Sequence, residues 1–376
     1  MATILLGNGF NIELGGQDYR NESIIARLLK NIETKDYSNT LFNKDKINND
    51  DLASILPGLY YEFKRMIIGQ YDKFCITSED ISLLALLKER YSLNTKIIEI
   101  GMEDFFVILR LFHLKYNDDH DLIKSTHDGL SWMLLDSIFN EGKIQKIAST
   151  ILPPYKNHLT QKLELYDEFY TVNYDKTIEL ITEKKVHYLH GDYETLHDQY
   201  NPNTLIGHYF FENGITNPVN PTTKHIYCNG IMGFSGIYKE RIIKIFENGQ
   251  FGADSILKLY NTGMIVQFNE KLEALKNSKK ENDQLAYGII KAKLKYPQLE
   301  MHQYPMKKFK GIDGDLHILG ISPYNDDHIW NAIVGNPRLA KIIYYYHENE
   351  SITLINKNYS DERFKFIPDT EFWAAF

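Results

Sequence analysis

What the chain lacks narrows its class first. Its 376 residues include only two cysteines, Cys75 and Cys228, too few for a disulfide framework or for a zinc module built on paired cysteines. Two buried thiols are the expected state. Prolines number 11 against 23 glycines, and 43% of the chain is hydrophobic with no internal repeat, which excludes fibrous and disordered scaffolds. No apolar run approaches the roughly 18 residues that span a bilayer. The opening MATILLGNGF has no basic segment ahead of its short apolar run, so it reads as a first β-strand rather than a signal peptide. A cytoplasmic protein without a membrane partner is expected. Positive charge is also short: 42 basic against 50 acidic residues leaves −8, which opposes a general nucleic-acid surface, so no direct nucleic-acid partner is expected. His187 and His190 stand three apart in an extended segment, where alternation turns them to opposite faces, and no metal is expected.

What is present reads as an α/β fold. Thr3 to Leu6 is β-branched and apolar and runs straight into Gly7-Asn8-Gly9, as a buried parallel strand enters a tight turn before a helix. Further strands are predicted at Glu168–Asn173, Val186–His190, Leu316–Ile321 and Lys341–Tyr346, with a helix from about Asp326 to Ile333 between the last two. Between the first and second strands the apolar residues Ile24, Ile25, Leu28, Leu29 and Ile32, then Phe105, Phe106, Leu109 and Phe112, recur at helical spacing. The expected fold is a Rossmann-like, doubly wound parallel sheet with large, mainly helical insertions. Residues 1–22 and 166–376 form the core in this reading, 23–165 a helical subdomain, and about 192–311 a second insertion of loop and helix. Ligands of such sheets bind at the carboxyl ends of the strands.

The polar residues at those ends are the candidates. Gly7, Asn8, Gly9 and Phe10 follow the first strand, with Asp18, Tyr19 and Arg20 shortly after. Paired glycines there let a backbone approach a pyrophosphate at a helix N-terminus. The third glycine of the dinucleotide fingerprint is replaced by Ile12, which disfavours an ordinary hydride-transfer site. Asn173 and Asp175 follow the second strand, His190 ends the third, and Gly320, Ser322 and Asn325 follow the fourth. His190 has a side chain that titrates near neutrality, as suits a general base.

These segments resemble the sirtuins. GNGFNIELGGQDYR is similar, without gaps, to the sirtuin pattern GAGxSxxSGIPDFR; TVNYD resembles its TQNID, Leu189-His190-Gly191 its His-Gly, and Gly320-Ile321-Ser322 its GTS. The four motifs occur in family order and cover about thirty residues; the insertions have no counterpart. The four-cysteine zinc module of sirtuin deacylases is missing, since Cys228 stands alone. The GNGF opening is more similar to the sirtuin-like and abortive-infection H proteins of bacterial antiphage defence.

That resemblance implies hydrolysis of NAD, as substrate, to nicotinamide and ADP-ribose without a metal. It implies that Gly7, Asn8 and Gly9 cradle the pyrophosphate, that Arg20 pairs a phosphate, and that Tyr19 lies over the ribose. Asp175 would bond the carboxamide, Asn173 position water and ribose hydroxyls, His190 act as base, and Ser322 and Asn325 bond the adenosine side. It also implies a homo-oligomer or a partner ATPase or sensor protein. Plainer uses stand beside these: Asp175 as a helix cap, Arg20 paired with Glu13 or Glu22, His190 as a satisfied polar residue. A pocket that binds NAD, ADP-ribose or another nucleotide without cleaving it is the alternative function.

Overall fold

The computed structural model describes residues 2–40, 48–116, 118, 120–195, 224–233, 236–295, 304–324 and 326–374. Six strands form one parallel sheet: β1 (Ala2–Leu6), β2 (Glu168–Thr171), β3 (Val186–Tyr188), β4 (Gly314–Leu319), β5 (Leu339–Tyr346) and β6 (Phe364–Pro368), in the order β3-β2-β1-β4-β5-β6. This is the doubly wound arrangement expected from the strand pattern, with β6 as an additional edge strand. Its direction of winding reverses between β1 and β4, the place where such sheets open a crevice for ligands.

Register decides what meets there. Leu6 pairs with Thr171 on one side and Leu319 on the other, while Thr171 pairs with Tyr188 and Leu319 with Tyr345. The residues following each strand therefore emerge at one level along one edge. Alternation in β1 sends Leu5 to a core shared with Tyr170, Ile318, Ile342 and the fully buried Trp330, and sends Ile4 and Leu6 to the other face with Phe10, Phe169 and Phe372.

Helices fill the long crossover between β1 and β2: α1 (Asn8–Gly15), α2 (Asn21–Thr34), α3 (Asn49–Ile67), α4 (Ser78–Arg90), α5 (Asp104–Tyr116), α6 (His120–Phe139) and α7 (Pro153–Leu163). In α2 the predicted stripe is buried at Ile24, Ile25, Leu28 and Ile32. Asn48 begins α3 with a reciprocal cap: its side chain accepts from the Asp51 N–H at 2.9 Å while Asp51 accepts from the Asn48 N–H at 3.1 Å. The helical core around Phe63, Phe105 and Phe106 continues into Tyr193, Ile226, Cys228 and Met232, so residues after β3 complete it. A short α8 (Thr177–Thr182) joins β2 to β3. The second insertion adds α9 (Gly236–Asn261), α10 (Ile265–Lys276) and α11 (Glu281–Lys295), and α12 (Asp327–Val334) links β4 to β5. No helix among the described residues is long and apolar enough to cross a membrane.

Candidate active site at the carboxyl edge of the sheet

A cavity of about 640 Å³ opens where the sheet changes direction, within the size range of small-molecule sites. Of the residues singled out from sequence, Asn8, Gly9, Arg20, Asn173, Asp175, His190, Gly320 and Ser322 line it. They come from the ends of β1, β2, β3 and β4, which chain order separates and sheet order gathers.

The glycines serve this meeting in a different way from the one expected. Gly7 donates its N–H to the Leu319 carbonyl at 3.0 Å, and Gly9 donates to the Gly320 carbonyl at 2.9 Å. A Cβ on Gly9 would sit 2.6 Å from the Gly320 Cα, and one on Gly320, at φ +73°, 2.6 Å from the Phe10 nitrogen. Gly7, Gly9 and Gly320 let the turns after β1 and β4 press backbone to backbone. The Gly7 and Gly9 amides are consumed by that contact, so they do not form the phosphate cradle expected of them. The start of α1 carries no side-chain cap, and Arg20 stands exposed on the rim, which leaves the helix dipole and one guanidinium as the anion-attracting features.

Other expected contacts also fall elsewhere. Tyr19 is buried in the helical core, where burial raises its hydroxyl to about 12; Phe10 packs against Trp373 at 5.8 Å; neither ring lines the cavity. Asp18 is exposed, its carbonyl accepting from Arg27 at 2.8 Å. Ser322 lines the cavity while its hydroxyl accepts from the Tyr324 N–H at 3.2 Å. Asn325 lies outside the described residues.

Asn173 and Asp175 are buried and tied into the fold. The Asn173 amide donates to the Gly7 carbonyl at 3.1 Å, linking the ends of β1 and β2. Asp175 accepts from the Thr177 N–H at 3.0 Å at the start of α8, and its second oxygen accepts from the Asn11 amide at 2.5 Å. Burial raises the Asp175 carboxyl, opposed by these bonds. Because a carboxylate only accepts, Asn11 must turn its NH2 toward it; the Asn11 Oδ1, buried and part of a cavity-lining residue, has no hydrogen-bond partner among the described residues.

His190 meets residues that no local pattern pointed to. Its Nε2 lies 3.0 Å from Nε2 of His328, in the first turn of α12, and 3.8 Å from Oδ1 of Asp326. Lys239, in the first turn of α9 and 3% exposed, donates to that Asp326 oxygen at 2.9 Å and to Glu103, just ahead of α5. Gly236 permits this convergence, since a Cβ there would lie 2.5 Å from the Asp327 nitrogen and hold α9 off α12. Burial, then the Lys239 charge, pushes His190 well below its ordinary 6.5, and burial takes His328 down to about 4. Both rings are neutral at physiological pH. Burial pushes Glu103 up to about 7 against the pull of Lys239; burial acts on Asp326 in the same direction, but Lys239 holds it down.

His190, His328 and Asp326 are also the one set among the described residues whose donor atoms lie close enough for a shared ion. The two ring centroids are 5.1 Å apart with the planes 21° from parallel, and the Nε2 atoms stand 3.0 Å apart, close enough for an N–H···N bond. The Asp326 oxygen nearest His190 also already holds Lys239.

Met232 lines the cavity, and in the segment just before it Asn229 is fully buried and the Ile231 N–H donates to the His190 carbonyl at 2.8 Å. The chain matches no protein-family model, and neither a curated protein nor a solved structure is detectably similar to it.

Proposed function

We propose that the cavity binds NAD and hydrolyses the bond between nicotinamide and ribose. The observation that carries this is the gathering of Asn8, Asn173, His190 and Gly320, each from a motif that resembles a sirtuin motif, around one cavity at the reversal point of a parallel sheet. In this reading the pyrophosphate faces Arg20 and the start of α1. The neutral His190 accepts, at the ring nitrogen that does not face His328, the proton of an attacking water or a ribose hydroxyl as the glycosidic bond opens, and Asn173, held by Gly7, positions the sugar. Water plus NAD gives nicotinamide, ADP-ribose and a proton. The chain would act as an effector of bacterial antiphage defence, as a homo-oligomer or beside an ATPase or sensor protein; motif order alone supports that role.

A non-cleaving nucleotide sensor is favoured by one fact: the Asn173 amide and both Asp175 oxygens already bond protein atoms. Nicotinamide release from NAD by the purified chain, beside His190→Ala, separates the readings. Release lost in the variant supports hydrolysis. Calorimetric binding of ADP-ribose without release supports the sensor, and neither binding nor release removes the nucleotide pocket altogether.

A further inference from the structure

The charges beside His190 do not balance. Glu103 and Asp326 share one ammonium, Lys239, while His190 and His328 are neutral, so the cluster carries a surplus negative charge on the cavity wall to the extent that Glu103, raised to about 7, is ionised. The surrounding groups do not cancel it. Asp104 is matched by Arg90 at 2.9 Å, Glu240 faces Lys244 and Lys310, each at 3.0 Å and both exposed outside the cavity lining, Tyr174 is neutral with its hydroxyl pushed upward by burial, and Asp175 adds a further buried carboxyl. Arg20 is exposed at the rim. A wall held negative in a partly dehydrated cleft attracts a cation much more strongly than the same charge in water. Independently, the Asn11 Oδ1 is a buried acceptor with no donor, on a residue lining the same cavity. A buried polar atom left in this way calls for a partner.

We propose that Glu103 and Asp326, around Lys239, together with the Asn11 carbonyl oxygen, form a subsite for a cationic ring bearing a carboxamide, the oxidised nicotinamide end of the dinucleotide. This rests on the NAD reading and adds to it the recognition of charge and amide. The surplus negative charge faces the pyridinium in the ground state and the positive sugar centre as the bond opens, while Asn11 accepts from the carboxamide NH2. Asn11 then takes the part that the resemblance assigned to Asp175, whose oxygens already accept from Thr177 and Asn11. Because burial leaves Glu103 close to neutrality, arrival of a cation draws it fully into the ionised form.

The test compares three uncleaved probes by calorimetry on the full chain: carbocyclic NAD+, NADH, which has the carboxamide but no ring charge, and ADP-ribose, which has neither. The expected result is that carbocyclic NAD+ binds about tenfold tighter than NADH. Glu103→Gln should abolish that preference, Asn11→Ala should weaken both nicotinamide ligands alike, and ADP-ribose should change less than about twofold in either variant. Should Glu103→Gln fail to fold, the wild-type protein still answers: near pH 7, carbocyclic NAD+ should release a proton, seen as buffer-dependent heat, and NADH should not. Equal affinity for the charged and neutral rings, or a preference that survives Glu103→Gln, overturns the subsite while ADP-ribose binding upholds the nucleotide pocket. Failure of all three probes to bind overturns both.

Discussion

Replacing Lys239 by Met would expose the energetics of the buried cluster directly. The side chain is 3% exposed and is the cation shared by Glu103 and Asp326, whose side chains keep 21% and 14% of their surface. Met preserves most of the volume, so packing changes little, but two carboxylates remain against apolar walls without a counter-ion. Removing one partner of a buried ion pair typically costs about 3–5 kcal/mol, and that is the loss expected at pH 8. The sign of its pH dependence follows from protonation. Without Lys239, both carboxyls in the folded protein rise above their unfolded values near 4.5 and 3.8, so the folded state binds more protons than the unfolded one. Stability of the variant therefore falls as pH rises, by up to about 1.4 kcal/mol per pH unit for each carboxyl protonated only in the folded state. In the wild type, Glu103 alone follows this course, up to about 7, while Asp326 stays ionised. The difference between the proteins should already be present at pH 5, where Asp326 is ionised beside Lys239 in the wild type but protonated in the variant, and should widen further by pH 8. Urea unfolding followed by tryptophan fluorescence at the two pH values measures it. A loss below about 1 kcal/mol at pH 8, or one equal at both pH values, would refute the view that Lys239 neutralises a buried, otherwise unpaired pair of charges.

Two further perturbations test the scaffold. Gly320→Ala, at φ +73° with a Cβ 2.6 Å from the Phe10 backbone nitrogen, should cost about 3 kcal/mol from backbone strain and overpacking, while Gly58→Ala, in open space within α3, should stabilise by about 0.5 kcal/mol. Thermal midpoints moving in the same direction for both would contradict the role given to the β1–β4 turn. Burial works to raise Asp136, but bonds from His225 at 2.8 Å, Lys35 at 2.6 Å and Tyr37 hold it down to about 2, from an ordinary 3.8. A depressed carboxyl contributes stability above its unfolded value and loses it as pH falls, here between about 4 and 2, so about 2 kcal/mol should vanish across that window. Asp136→Asn should show no such step in acid titrations of unfolding.

Local signals carried the secondary structure a long way. The apolar run of β1, the helical stripe of α2 and the helix after β4 are set by neighbours within a few residues, so periodicity and turn residues reveal them. The edge strand β6 escaped because Phe364 to Pro368 is short and half-buried, with weak alternation. For the site, sequence named His190 but none of the residues around it. Glu103 and Lys239 sit in helical insertions with no strand end or motif to mark them, and His328 reads as one more residue of an amphipathic helix.

By itself the sequence determined the class of fold and the polar ends of its strands, because strand and helix periods are local properties of the chain. Only the tertiary structure decided which ends meet. Sheet order and register bring Gly7, Asn173, His190 and Gly320 to one edge, and Gly236 admits α9 close enough to α12 to set Lys239 on Asp326. It also decided what the polar atoms are free to do. The glycine amides and the Asp175 oxygens are spent within the protein, while the Asn11 oxygen and the negative charge shared by Glu103 and Asp326 are left over. Apart from the local bond between Asp175 and Thr177, these hydrogen bonds and ion pairs join partners more than seventy residues apart, and no local pattern encodes them.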